Sequence, residues 1–367
     1  MKSTRQYISP EQEQIDKAIC HLARRCNLVG SIEPINAMEE CTKFIELKGQ
    51  YNPQFVYKPV DTNKIQQVVD TLIWLQKDFA ATDSITQLQA KKVQELIEKY
   101  SLILAYQEQD FESIYKYNTR LFQTIPRDDE IPVPKHVLQI SCSDYLQTDA
   151  YDTITTIDSE QAEELIHLKC KQLAIQNYQI VRKHIWSGSM TIQCEDIIKI
   201  NLSTKKVFNK MQFAATLCHE LDGHVMRYRN GLDSGIALFA QGTWYYKATE
   251  EGVASYYKAT ILWIQDSYTH LGIMRDKCKY AMDRDWIQLC AWIQNTRKAS
   301  LEQSFWMALR VKKWIQDTSI IHPGTVYQFD RVYLEWRSIV DAHIAIHGSI
   351  QNLMIGKICI DDVQLLA

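Results

Sequence analysis

One window governs the reading of this chain: Phe213-Ala214-Ala215-Thr216-Leu217-Cys218-His219-Glu220-Leu221-Asp222-Gly223-His224-Val225-Met226-Arg227-Tyr228-Arg229-Asn230-Gly231. It lacks proline and carries enough apolar residues to predict a helix from about Met211 to Arg229. Inside it sits an H-E-x-x-x-H motif, His219-Glu220 followed by His224. Two neutral imidazoles beside a carboxylate form the donor set of a zinc site with an activated water. In the commoner H-E-x-x-H the imidazoles lie four apart and share one helix face. Here they are five apart, and a regular helix would hold them about 140° from each other. The rings converge only if the helix admits an extra residue, as in a π-bulge, or unwinds locally. Gly223 stands directly before His224, where such a distortion is least costly. On a straight helix Glu220 and His224 would instead be an ordinary i,i+4 pair.

Further along, Thr249-Glu250-Glu251-Gly252-Val253-Ala254 opens another predicted helix, from about Glu250 to Tyr268. A glutamate there could complete a His₂Glu ligand set and leave the fourth position for water. The same residues also read as a plain helix start, with Thr249 as N-cap and two glutamates at the positive dipole end.

Taken together, H-E-x-x-x-H, then Arg227, Asn230 and Gly231, then Tyr246, Thr249 and Glu250 to Ala254 resemble the QEGLA-motif family. Those proteins are described as flavohaemoglobin expression-modulating proteins, with the microtubule-associated tyrosine carboxypeptidases as eukaryotic relatives. Weaker matches lie at Asn52-Pro53-Gln54-Phe55-Val56-Tyr57 and at Arg310 followed by Asp330-Arg331-Val332-Tyr333-Leu334. The resemblance implies a zincin-like helical core, a Zn2+ cofactor, His219, His224 and Glu251 as metal ligands, and Glu220 as general base. Glu250 stands where the family has glutamine. Asp222-Gly223 replaces the usual Gly-x pair, and Phe329 replaces a lysine before Asp330. The relatives' activity implies a peptide or protein C-terminus as substrate. Such chemistry needs a cation for the terminal carboxylate, and Arg227, Arg229 and Arg310 are candidates. Asn230 and Tyr246 join Arg227 and Arg310 as candidate substrate-binding residues. Tyr245, Tyr246, Tyr256 and Tyr257 could stabilise an oxyanion or simply pack in the core.

Composition sets the frame around these motifs. Glycine and proline number only 12 and 8 of 367 residues, where average usage together is about 12%. Long helices with short connections follow. Five of the twelve glycines nevertheless fall between Gly223 and Gly252, so backbone irregularity is expected around the proposed ligands. Lys+Arg 41 against Asp+Glu 44 leaves no basic excess for a nucleic-acid backbone. The ten cysteines form no C-x-x-C and read as reduced, mostly buried thiols. No apolar leader or membrane-length run is visible, so a cytoplasmic location away from membranes is expected. His343 and His347 form an i,i+4 pair without an acidic or cysteine partner beside them, and His322 falls in a loop. No phosphate-binding glycine loop or nucleophile elbow occurs.

The coarse organisation is a helical N-terminal segment, 1–130, followed by a core, 131–367, across a charged, proline-bearing linker at Arg127-Asp128-Asp129-Glu130 with Pro132 and Pro134. Capping boxes at Ser9-Pro10-Glu11-Gln12 and Asp158-Ser159-Glu160-Gln161 start helices, the second expected to run to about Asn177. Period-two stretches at Met190–Gln193 and Ile197–Leu202 predict one small antiparallel sheet turning at Glu195-Asp196. The expected fold is thus mainly α, an α+β protein with that sheet added. The expected function is zinc-dependent, carboxypeptidase-like peptide hydrolysis. An inactive binding or scaffold protein keeping the same fold is the alternative, although a pure binder has no use for Glu220.

Overall fold

The computed structural model describes residues 8–77, 79, 83–122, 155–185, 188–261 and 264–366. The expected linker at 127–134 lies outside them. Helices dominate, as the scarcity of glycine and proline requires. Six precede that gap: α1 Pro10–Arg25, α2 Leu28–Ser31, α3 Ala37–Glu46, α4 Thr62–Lys77, α5 Ser84–Glu108 and α6 Phe111–Phe122. After it come β1 Thr156–Asp158, α7 Ser159–Gln172, β2 Tyr178–Lys183, β3 Met190–Gln193, β4 Ile198–Ser203 and β5 Val207–Asn209. Then follow α8 Lys210–Cys218, a π-helix His219–Val225, α9 Met226–Asp233, α10 Ala237–Gln241, α11 Tyr246–Ala259 and α12 Ile264–Ala281. The chain closes with α13 Trp286–Arg297, α14 Leu301–Val311, α15 Phe329–His347 and two 3₁₀ turns, Gln351–Met354 and Ile360–Leu366.

Both expected capping boxes form, Ser9 with Gln12 and Asp158 with Gln161. Two more start α13 and α14, at Asp285 with Gln288 and Ser300 with Gln303. Each satisfies two backbone donors that a helix start otherwise leaves unpaired. α7 stops short of Asn177 because Ala174 turns left-handed at φ 52°, and the chain leaves as a strand.

The sheet differs from the expected single antiparallel one. β3 and β4 do form the antiparallel hairpin, pairing Met190 with Leu202 and Gln193 with Lys199. β2 adds to the other edge of β4 in parallel, Tyr178 beside Ile198, so this sheet is mixed, in the order β2-β4-β3. A second, two-stranded sheet joins β1 to β5 antiparallel. Tyr-Gln-Ile-Val-Arg-Lys in β2 shows no clean alternation because neither face is fully buried, and three-residue strands carry no period to read.

Two cores position the site. One places Ile198, Ile200 and Leu202 of β4 against Phe213, Leu217, Leu221 and Val225, so the small sheet backs α8 and the π-helix. The other joins the N-terminal helices, including Ile19, Leu72, Leu88 and Ile103, to Ile236, Leu238 and Phe239 around α10 and to Trp314 and Tyr327. The buried Asp16 carboxylate of α1 accepts the Leu238 amide at 3.1 Å, tying the N-terminal segment to the start of α10. Among the described residues, no helix is long and apolar enough to cross a membrane.

Candidate metal centre

The backbone resolves the five-residue spacing. His219–Val225 is a π-helix, whose i→i+5 pairing stacks residues five apart on one side. Leu221 and Val225 point into the sheet-backed core and are wholly buried, leaving His219 and His224 toward α11. Gly223 acts differently from the sequence reading. Its backbone is not in the left-handed region. Instead a Cβ there would lie 2.7 Å from Cα and Cβ of Ala254, so glycine is needed for the π-helix to approach α11. Gly252 does the same on the far side of α11, where a Cβ would sit 2.6 Å from the Trp336 carbonyl oxygen of α15.

α11 begins at Tyr246, three residues before Thr249. The capping alternative therefore falls: Thr249 is buried inside the helix, and its Oγ1 accepts the Ile360 amide at 2.9 Å. Glu250 and Glu251 enter the second turn of α11, facing the π-helix. Nε2 of His219 and Nε2 of His224 are 3.3 Å apart. Oε2 of Glu251 lies 3.5 Å from the first and 3.8 Å from the second. Ligands about 2 Å from a tetrahedral ion are separated by about 3.3 Å, so this triangle fits one zinc-sized cation. Glu251 Oε2 is buried with no hydrogen-bond partner among the described residues, the condition of a donor made for an ion. His219, His224 and Glu251 are also the three-residue group among the described residues that could hold a metal.

Surrounding charges support that reading. Burial raises the Glu220 carboxyl, with both imidazoles pulling it down and Glu251 and Glu250 adding to the rise. Burial disfavours a charged His224, yet Glu251 and Glu250 outweigh it and hold that ring at about 9. Three carboxylates around two imidazoles thus call for positive charge between them. Glu250 serves the second layer: its Oε1 lies 3.4 Å from Nδ1 of His224 and 3.2 Å from Nζ of Lys357. Burial works against the Glu250 carboxylate, but Lys357 and His224 hold it well below the usual range.

The candidate substrate-binding residues scatter. Arg227 is fully buried and donates to the Leu353 and Ile358 carbonyls at 2.9 and 2.6 Å. Asn230 donates to the Met354 carbonyl at 2.6 Å. These two hold the C-terminal segment against α9. Arg229 donates to the Leu173 carbonyl at 2.8 Å. Tyr246 is buried, with the Lys92 and Lys357 ammonium groups near its ring. Tyr245, Tyr256 and Tyr257 pack against apolar clusters. Arg310 grips Asp330, Nη2 to Oδ1 at 2.7 Å and Nε to Oδ2 at 3.3 Å. His343 and His347 lie with ring centroids 4.3 Å apart and tilted at 40°, with no third donor grouped with them among the described residues. The structure also brings in Tyr333 of α15, within electrostatic reach of Glu251, Glu220 and Arg310. Lys357 and Tyr333 had no readable role: one follows Glu250 by more than a hundred residues, the other sat in a weakly matching stretch.

Fold and site together define a mainly helical protein whose candidate metal centre joins a π-helix to the helix beside it. The sequence pattern of the microtubule-associated tyrosine carboxypeptidase family matches residues 42–367. The chain belongs to that family, and with it to the peptidases. No curated protein matches the sequence.

Proposed function

We propose that this protein is a zinc-dependent, carboxypeptidase-like hydrolase acting on a peptide or protein C-terminus. The observation that carries this reading is the convergence of His219, His224 and Glu251 within 3.8 Å of one another, with Glu220 beside them. Membership of a family described as microtubule-associated tyrosine carboxypeptidases supports the C-terminal substrate. His219 and His224 through Nε2, and Glu251 through Oε2, would hold the ion. A bound zinc supplies Lewis acidity, lowering the pKa of a water and polarising a carbonyl. Glu220 takes the proton from the attacking water and hands it to the departing amine. Burial raises its carboxyl above the usual range, the direction in which a proton carrier is tuned. Glu250, with Oε1 at 3.4 Å from Nδ1 of His224, would orient that ring by accepting from Nδ1 and so present a lone pair at Nε2. Tyr333, within electrostatic reach of Glu220 and Glu251, would donate to the developing oxyanion.

Metal analysis tests the ligand set. Zinc near one equivalent is expected in the wild type and far less in His219→Ala and Glu251→Ala; near-stoichiometric zinc in all three would sink it. The base is tested separately. Glu220→Gln should keep zinc and lose turnover on a C-terminally randomised peptide pool, and undiminished hydrolysis would refute its role.

A further inference from the structure

A pocket of about 380 Å³ lies among α2, α11, α14 and the start of α15, and none of the metal-centre side chains lines it. Two helices link the two places. On α11, Lys247 lines the pocket one turn before Glu251. On α15, Asp330 lines it one turn before Tyr333, which reaches Glu251 and Glu220 electrostatically. Trp306, Leu309, Tyr327 and Phe329 give the pocket an apolar wall. Its cations are Lys247, Arg310 and Lys313, and its acids Glu33 and Asp330.

The ion pairing of these groups is uneven. Asp330 already holds Arg310 at 2.7 Å and Lys277 at 2.6 Å. Lys313 pairs with Glu33 at 3.3 Å. Lys247 is exposed to the pocket's solvent and makes no ion pair among the described residues. Its Nζ rests 6.0 Å above the Phe329 ring, a contact that steers the ammonium toward the pocket without neutralising it. The guanidinium of Arg310 would suit a bidentate carboxylate best, but Asp330 has filled it.

We propose that Lys247 receives the terminal α-carboxylate of the substrate and that the pocket encloses the residue cleaved off. This rests on the hydrolase reading above and assigns its polarity: the released residue lies toward the start of α11 and the rest of the peptide on the other side of Glu251. Four residues apart on α11, Lys247 and Glu251 lie on the same face of the helix. Lys247 occupies an unspecified position of the Y-x-x-T motif, so nothing in the motif itself assigned it.

The test uses the full-length zinc-loaded protein and two N-acetylated peptides ending in phenylalanine, identical except for a free or an amidated C-terminus. The wild type should favour the free acid in kcat/KM by about 10- to 100-fold, as expected for a charge-assisted hydrogen bond. Lys247→Met should bring that ratio to within a few-fold of one, and Lys247→Arg should keep most of it. Lys247 is exposed, and unfolding midpoints should confirm that both variants fold. A Lys247→Met enzyme that discriminates as the wild type does would overturn the assignment. Calorimetric binding of the same peptides to Glu220→Gln protein, with and without Lys247→Met, needs no turnover. Free-acid preference that depends on Lys247 without cleavage by the wild type refutes the hydrolase and keeps this site. Cleavage or binding indifferent to amidation keeps the hydrolase and removes Lys247, as does the absence of discrimination in both assays.

Discussion

Glu250 is a buried carboxylate with an imidazole nitrogen on one side and the Lys357 ammonium on the other. A ligand imidazole must be held in one tautomer, and a carboxylate on its outer nitrogen does that while raising the basicity of the ring. Where the resembling family has glutamine, this chain has a charge, and Lys357 balances it. The two residues should therefore be coupled. Lys357→Met strands the buried carboxylate and should cost about 3 kcal/mol in urea unfolding. Adding Glu250→Gln should recover most of that loss, because the glutamine oxygen still faces Nδ1 and no charge is left unpaired. Purely additive losses in the double variant would show that the pair is not coupled. Glu250→Ala, which removes the acceptor altogether, should weaken zinc binding about 10- to 100-fold in chelator competition.

At the scale of elements, the π-helix sets the geometry of the site, and its neighbours are fitted to it. Gly223→Ala would drive a methyl to 2.7 Å from Ala254. Separation of the π-helix from α11 should follow, with a stability loss of about 1–3 kcal/mol and less bound zinc. Unaltered unfolding and metal content would mean that the two helices have slack. A deletion makes the sharper test. Removing Asp222 restores the four-residue spacing of a regular H-E-x-x-H, so imidazole convergence alone would be preserved. It would also rotate everything beyond by about 100°, turning Arg227 and Asn230 away from the carbonyls of Leu353, Ile358 and Met354. We expect the deletion variant to unfold at markedly lower temperature than the wild type despite its more familiar motif. The need for this distortion was legible in the sequence, because five-residue spacing cannot converge on an α-helix. The reason for Gly223 was not. It depends on Ala254, on another helix, and no local pattern reports how closely two backbones pass. The mixed sheet escaped for a related reason: β2 joins β4 in parallel across an intervening strand, and a half-exposed strand shows no period.

For the molecule as a whole, the ligands lie within 33 residues of sequence, His219 to Glu251, yet the centre is completed from far outside that span. The segment after α15 runs back beneath α9 and α11. Arg227 donates to Leu353 and Ile358, and Thr243 to the Lys357 carbonyl at 2.9 Å. Thr249 takes the Ile360 amide, and Lys357 reaches Glu250. None of this is visible from the motif, because backbone carbonyls as partners leave no trace in side-chain identity. It is this segment that holds Arg227 in place. A buried guanidinium deprived of its partners costs about 3–5 kcal/mol, a large share of a domain's net stability. A chain ending at Gly348 keeps His219, Glu220, His224 and Glu251 but loses Lys357 and both carbonyls on Arg227. We expect it to bind well under one equivalent of zinc and to unfold at lower denaturant than the full chain. If it held stoichiometric zinc with an unchanged midpoint, the π-helix and α11 would suffice for the centre, and the long-range bonds would be packing without consequence for the metal. The opposite result would locate the limit of the motif: three ligands specify the ion, and a segment of backbone about a hundred residues further along the chain keeps them where the ion can be held.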